Sequence, residues 1–178
     1  ITAVGKGSRN EPKLMVMEHN RGPKNQKPIV LVGKAVTFDT GGISLKPGQS
    51  MDEMKFDKCG GCTVLGIMKS VSELKLPINV VGIIPSVENM PGGEAYRPGD
   101  IIKLYNGKTA EILNTDAEGR LILADALAYG EKQYSPKAII DFATLTGACI
   151  IALGNNVAAI VSNNEQLTKK IIDSSKTT

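Results

Sequence analysis

The stretch Asn114-Thr115-Asp116-Ala117-Glu118-Gly119-Arg120-Leu121 decides how the chain is read. Strand-like Thr109–Leu113 precedes it. Gly119–Gln133 follows, with Leu121, Ile122, Ala124, Leu127 and Ala128 in helical order. Two carboxylates and a guanidinium thus fall at a strand-to-helix corner, where α/β proteins gather their ligands. Capping explains the same residues, because Asn, Thr and Asp are good N-caps and early acids suit the helix dipole. The corner alone does not separate a cap from a site.

Outward from the corner, the chain alternates strand and helix. Leu14–His19 and Pro28–Val36 read as strands, and Pro28-Ile29-Val30-Leu31-Val32 is apolar throughout, as in a strand buried on both faces. A polar loop runs from Thr37 to about Met54. A helix follows from about Gly60 to Leu74, with Val64, Leu65, Met68 and Val71 inward, and Pro77 stops it. Ile78–Pro85 reads as a buried strand and Val87–Gly99 as a loop. Ile101–Tyr105 and Thr109–Leu113 flank Asn106-Gly107, a strong hairpin signal. Beyond the corner helix come a strand at Lys137–Phe142, a short helix near Leu145–Leu153, a strand at Val157–Val161 and a final helix over Asn164–Thr178. The order predicts an α/β fold: a mostly parallel mixed sheet with helices on both faces and one antiparallel hairpin.

Composition narrows the classes. With 178 residues, 42% apolar and 22% charged, the chain suits one globular domain. No apolar run reaches the length of a membrane span. The first residue is Ile1 rather than Met, so the chain is expected to be part of a longer protein. The net charge of +3 is concentrated in the Pro/Asn/Lys-rich opening (Gly5–Lys13, Arg21–Lys27), which reads as solvated loops. A nucleic-acid surface would interleave aromatics, and the chain has only four Tyr, three Phe and no Trp.

Three cysteines fit a reducing compartment. Cys59-Gly60-Gly61-Cys62 has redox spacing at a helix start, but a zinc knuckle would need a second pair and only Cys149 remains. The expectation is two thiols packed beside glycines.

The polar loop carries the chemistry. Lys34 interrupts an apolar strand, which is costly unless its amine is paired or neutral. Asp39 follows a strand and precedes Gly41-Gly42; Asp52, Glu53 and Asp57 come before the next helix. Asp39, Asp57, Asp116 and Glu118 fall at successive strand–loop–helix corners, which can share one sheet edge. Gathered carboxylates repel unless cations neutralise them, and divalent metal is the economical solution. The lone His19 is read as a satisfied structural residue, so a His-based zinc site is excluded by count.

These residues resemble the catalytic domain of the cytosolic leucyl aminopeptidases, a family of dinuclear metallopeptidases with a zinc-peptidase-like fold. Asn114–Leu121 matches the family signature at every position. Matching blocks surround it: Val32-Gly33-Lys34, Thr37-Phe38-Asp39, Gly41-Gly42-Ile43-Ser44, Lys46, Met51-Asp52, Asn89-Met90-Pro91, Pro98-Gly99-Asp100 and Ala143-Thr144-Leu145-Thr146-Gly147-Ala148.

The resemblance implies two divalent ions, Zn or Mn, with Mg or Co as alternatives. Asp39 and Glu118 would bridge them, Lys34 and Asp57 would complete the tighter site, and Asp116 the more exchangeable one. A Lys ligates metal only through its neutral amine. A metal-bridging hydroxide would be the nucleophile, Lys46 would stabilise the oxyanion, and Arg120 would hold a bicarbonate with a main-chain contact from Leu145. Met54, Thr144 and Gly147 would line the pocket for the first side chain, preferably Leu, of a peptide with a free N-terminus. The resemblance further implies a cytoplasmic homo-hexamer. It also implies that the family's N-terminal domain and the C-terminal end of its sheet lie outside residues 1–178, so that this chain alone would be a weak enzyme.

Rivals fit less well. Phe38-Asp39-Thr40-Gly41 matches an aspartic-protease motif, which needs two facing copies in an all-β fold. Asn106-Gly107-Lys108-Thr109 imitates the end of a phosphate loop, but Ile102 stands where that loop needs glycine. A DNA-binding module would rest on the basic opening alone.

Overall fold

The computed structural model describes residues 1–177. The chain divides into two compact units, residues 1–145 and 146–178. The first begins with a short helix α1 (Thr2–Gly5) and then β1 (Lys13–Asn20). The apolar run from Pro28 forms two strands rather than one: β2 (Ile29–Gly33) and β3 (Ala35–Asp39). A 3-10 helix (Met51–Phe56) leads into α2 (Cys59–Glu73), followed by the long β4 (Asn79–Asn89). Then come β5 (Ile101–Lys103), β6 (Thr109–Glu111), α3 (Glu118–Tyr134) and β7 (Ala138–Phe142).

The sheet order is β1-β4-β2-β7, and β3 also pairs with β4. β2 lies parallel to the first half of β4 and parallel to β7, while β3 continues parallel to the second half of β4. β1 is the antiparallel member. The expected hairpin forms at Asn106-Gly107, but β5 and β6 make a separate two-stranded sheet.

Strand alternation assigns the two faces. Val30, Val32, Val81 and Ile83 point to one side, where Leu123 and Ala126 of α3 cover them. Leu31, Val80 and Ile84 point to the other, against Val64, Met68 and Val71 of α2. A helix on each face is what an unbroken apolar run requires, because a strand buried on both sides has no polar row. A third cluster, with Val36, Val87, Tyr96, Leu121 and Ile122, lies under the far ends of β3 and β4.

Four expectations need correction. Leu65 is exposed, because the buried stripe of α2 runs through Gly61, Val64, Met68 and Val71 and leaves position 65 to its side. Cys59 and Cys62 are exposed free thiols for the same reason; the intervening Gly60 and Gly61 make the close contact. Thr37–Asp39 and Val87–Asn89 are strand rather than loop, since β3 and β4 extend by pairing with each other. Val157–Val161 is not a strand. Among the described residues, the unit 146–178 contains α4 (Ala148–Leu153) and α5 (Glu165–Ser175) and no strand for it to pair with. Among the described residues, no helix is long and apolar enough to cross a membrane.

Candidate metal centre

Lys34 falls at the break between β2 and β3. Its N–H still donates to Phe142 O of β7 (2.9 Å), while its carbonyl accepts from Gly61 N at the start of α2 (2.7 Å). The chain therefore leaves β7 and turns along β4, and the Lys34 side chain projects into the gap. It is buried, 3% exposed. Its ammonium uses all three protons: Nζ donates to Asp57 Oδ1 (2.7 Å) and Thr144 O (2.8 Å) and pairs with Glu118 Oε1 (2.9 Å). Gly119 is required beside it, because a Cβ there would lie 2.7 Å from Lys34 Cε.

Three loops deliver the carboxylates. An irregularity between Val36 and Asp39 breaks the β3–β4 register and restores it at Asp39↔Asn89. Asp39 Oδ1 accepts from Gly41 N (2.9 Å) and from Asn89 Nδ2 (2.8 Å). Gly41 and Gly42, both at positive φ, turn the chain immediately after it. Asp57 ends the 3-10 helix and takes a further bond from Thr144 Oγ1 (2.7 Å). At the third corner Asn114 does cap: its side chain accepts from Asp116 N at 2.8 Å. Asp116 and Glu118 remain free for other partners, so the corner is both cap and site.

Asp39, Asp57 and Glu118 are all buried and offer one oxygen each within 4.8 Å of one another. Lys46 lies at their edge. Its Nζ is 3.1 Å from Asp39 Oδ2 and also pairs with Asp116 Oδ1. Four carboxylates thus face two ammonium groups, a formal excess of negative charge. Asp57 Oδ2 and Glu118 Oε2 are buried without a hydrogen-bond partner. Each orphaned oxygen forfeits on the order of 1–3 kcal/mol or more, and a divalent cation would satisfy both. The donor set, oxygens plus one amine, suits Mn, Mg or Zn.

Burial pushes the Glu118 carboxyl up to about 7, against the pull of Lys34 and with help from the charge on Asp39. Burial also raises Asp57, again opposed by Lys34. Burial lowers Lys46, but Asp116 and Asp39 more than offset this and hold its ammonium above the usual value.

An acid whose folded pKa is raised binds more protons folded than unfolded. Its contribution is lost as pH climbs from the unfolded value through the folded one. Without metal, the protein should therefore lose stability between about pH 4.5 and about pH 7 through Glu118. Thermal unfolding in chelator at pH 5 and pH 8 measures this. Glu118→Gln should flatten the slope, and a wild type that grows more stable toward pH 8 would refute it.

The remaining candidates are placed as follows. Arg120 is exposed on the first turn of α3 and has no ion pair or side-chain hydrogen bond among the described residues. Met54 is half-buried on the 3-10 helix and Leu145 is exposed, while Asp52 and Glu53 face outward. Gly147 precedes α4 in the second unit. His19 is buried with Nε2 2.9 Å from Leu76 O, a satisfied structural residue. Sequence reasoning missed roles for Thr115, Asn89 and Tyr96, all buried polar groups around the corner. Thr115 Oγ1 donates to Gly41 O (2.6 Å) and accepts from Ser44 N (2.8 Å), which ties the first loop to the third. Tyr96 OH donates to Thr115 O (2.7 Å), and burial together with Glu118, Asp39 and Asp116 keeps that hydroxyl protonated.

Residues 1–178 match the family model described as "Cytosol aminopeptidase family, catalytic domain". A curated relative from Cenarchaeum symbiosum, "Probable cytosol aminopeptidase", is 75% identical over 178 residues, which cover 100% of this chain and 36% of that protein. Another of the same description, from Methylobacillus flagellatus, is 59% identical over 170 residues, 96% of this chain and 34% of its own. The chain thus spans about a third of the length of these relatives. Among solved structures, "Bottromycin maturation enzyme BotP in complex with Mn" matches with a TM-score of 0.91 at 38% identity, covering 98% of this chain and 38% of that one.

Proposed function

The chain belongs to the cytosol aminopeptidase family, and on that premise we propose that the intact protein is a dinuclear divalent-metal aminopeptidase. The observation that carries this is the buried trio Asp39, Asp57 and Glu118, with unpartnered oxygens on two of its members. The related BotP structure is a complex with Mn, which supports Mn as one metal the site accepts, and the Lys34 amine keeps Zn in contention. When bound, the ions supply Lewis acidity for water and the scissile carbonyl and a seat for the substrate's α-amine.

The chain's own residues do the rest. Glu118 pairs with Lys34 and Asp39 with Lys46; with Asp57, Asp116 and the Lys34 amine, these two carboxylates would hold the ions. Lys34 ligates only after giving up a proton, so metal uptake should release protons. Lys46 keeps its charge, held by Asp39 and Asp116 at the rim, and is positioned to meet an oxyanion as it develops. Arg120 cannot act as a base, because guanidinium stays protonated. Its planar fork suits bicarbonate, which would carry the proton, with a contact from the Leu145 main chain. Met54 and Thr144 would line the first-residue pocket, for Leu or a similar side chain. We further propose a cytoplasmic homo-hexamer, as the sequence resemblance implies.

The test uses the intact protein with a leucyl amide and its N-acetylated counterpart. Chelation should abolish cleavage of the amide, and Mn or Zn should restore it. The acetylated substrate should stay uncut, since acetylation removes the amine that the metal must bind. Arg120→Ala should be slow and indifferent to added bicarbonate. Cleavage of the acetylated substrate, or chelator-resistant activity, would overturn the reading.

A further inference from the structure

Asn89 ends β4 with its side chain wholly buried, 0% exposed. Its orientation is set by chemistry. The two atoms it faces, Asp39 Oδ1 (2.8 Å) and the Thr115 main-chain oxygen (3.1 Å), can only accept, so the NH2 group must point at them. Asp39 Oδ1 also takes the Gly41 N–H, which leaves Oδ2 as the oxygen turned toward Lys46. The backbone reinforces the arrangement: the N–H and hydroxyl of Thr40 both donate to Asn89 O, at 3.0 and 2.9 Å.

One amide therefore spans two segments of chain. On one side stands Asp39, at the end of β3. On the other stands Thr115, one residue before Asp116 and three before Glu118. The arrangement is costly. Asn89 Oδ1 is buried without a partner, close against Gly42, where a Cβ would lie only 2.8 Å away. A position that served packing alone would avoid that cost with an apolar side chain. The compensation is a pair of donors that no apolar residue offers.

We propose that Asn89 is a positioning residue of this centre: its amide ties Asp39 to the Thr115 carbonyl and so fixes the separation of the two carboxylate-bearing segments that share the cations. The inference rests on the metal reading given under Proposed function. Partners behind metal ligands typically change metal affinity by 10–100-fold when lost. Asn89 stands behind one ligand directly and behind two more through the backbone.

The experiment is calorimetric titration of Mn into the chelator-stripped intact protein. It compares wild type with Asn89→Leu, Asn89→Ser and His19→Leu, alongside thermal unfolding of each without metal. Asn89→Leu keeps the branched shape and removes both donors, so Mn affinity should fall about 10–100-fold. Asn89→Ser keeps one donor and should fall in between. His19→Leu, on β1, removes the hydrogen bond of a buried side chain to Leu76 O, outside the carboxylate network. It should lower the unfolding temperature yet leave Mn affinity close to wild type.

Affinity losses that merely track the loss of thermal stability across all three variants would overturn the proposal. So would a folded Asn89→Leu, or, if that variant does not fold, an Asn89→Ser, that binds Mn like wild type. A wild type that takes up no Mn would instead defeat the metal reading, and this inference with it.

Discussion

Lys34→Met in the intact protein should lower its stability in chelator by about 3–5 kcal/mol, the usual cost of removing one partner from a buried ion pair. The ammonium is 3% exposed and bonds two carboxylates and a carbonyl. Met fills the same space but leaves Asp57 and Glu118 facing each other, uncompensated. The unfolding midpoint should drop with it. Scanning calorimetry reads it, and the deficit should shrink at pH 5, where a proton on Glu118 replaces the lost charge. A drop no larger than that of a surface substitution would mean that Lys34 does not hold the carboxylates together. On the proposed ligand set, the same variant should also bind Mn poorly.

Lys46→Ala should behave in the opposite way. Lys46 is partly exposed at the rim, and its ion pairs are screened by water, so folding should change little. If it meets charge mainly in the transition state, kcat should fall about 10²–10³-fold, as when an oxyanion donor is removed. KM should move far less. Steady-state kinetics on a leucyl amide separate the two. An unchanged kcat would assign Lys46 to charge balance alone.

The contrast between the two lysines was half legible in the sequence. Lys34 stood out because a charge inside Val30–Val36 demands a partner, whereas Lys46 entered only through family resemblance. The faces of the sheet were legible from the unbroken apolar run at Pro28, which a strand covered on one side would not show. The break at Lys34 was not, since it comes from Gly61 of a distant helix taking the Lys34 carbonyl. Hairpin chemistry at Asn106-Gly107 identified the turn but not that β5 and β6 would leave the main sheet.

Val157–Val161 shows the opposite failure. Its composition suits a strand, yet among the described residues its own unit holds no strand to pair with. The exposure of Cys59 and Cys62 was not legible, because local spacing cannot tell which side of α2 meets the sheet; Gly60 and Gly61 make that contact.

The acids at the corners were legible as a group. The network that orients them was not. Asn89, Thr115 and Tyr96 are ordinary polar residues in sequence, and they matter only because β4, the loop before β5 and the corner before α3 converge. The family assignment made from the blocks around Asn114–Leu121 holds across residues 1–178.

If the buried carboxylates hold divalent cations, anomalous scattering from crystals of the intact protein grown with Mn should locate them. Manganese peaks are expected among Asp39, Asp57, Asp116 and Glu118, with Asp57 Oδ2 and Glu118 Oε2 no longer unpartnered. Manganese found only elsewhere, or none at saturating concentration with Lys34 still bonded to Asp57 and Glu118, would contradict a metal centre there.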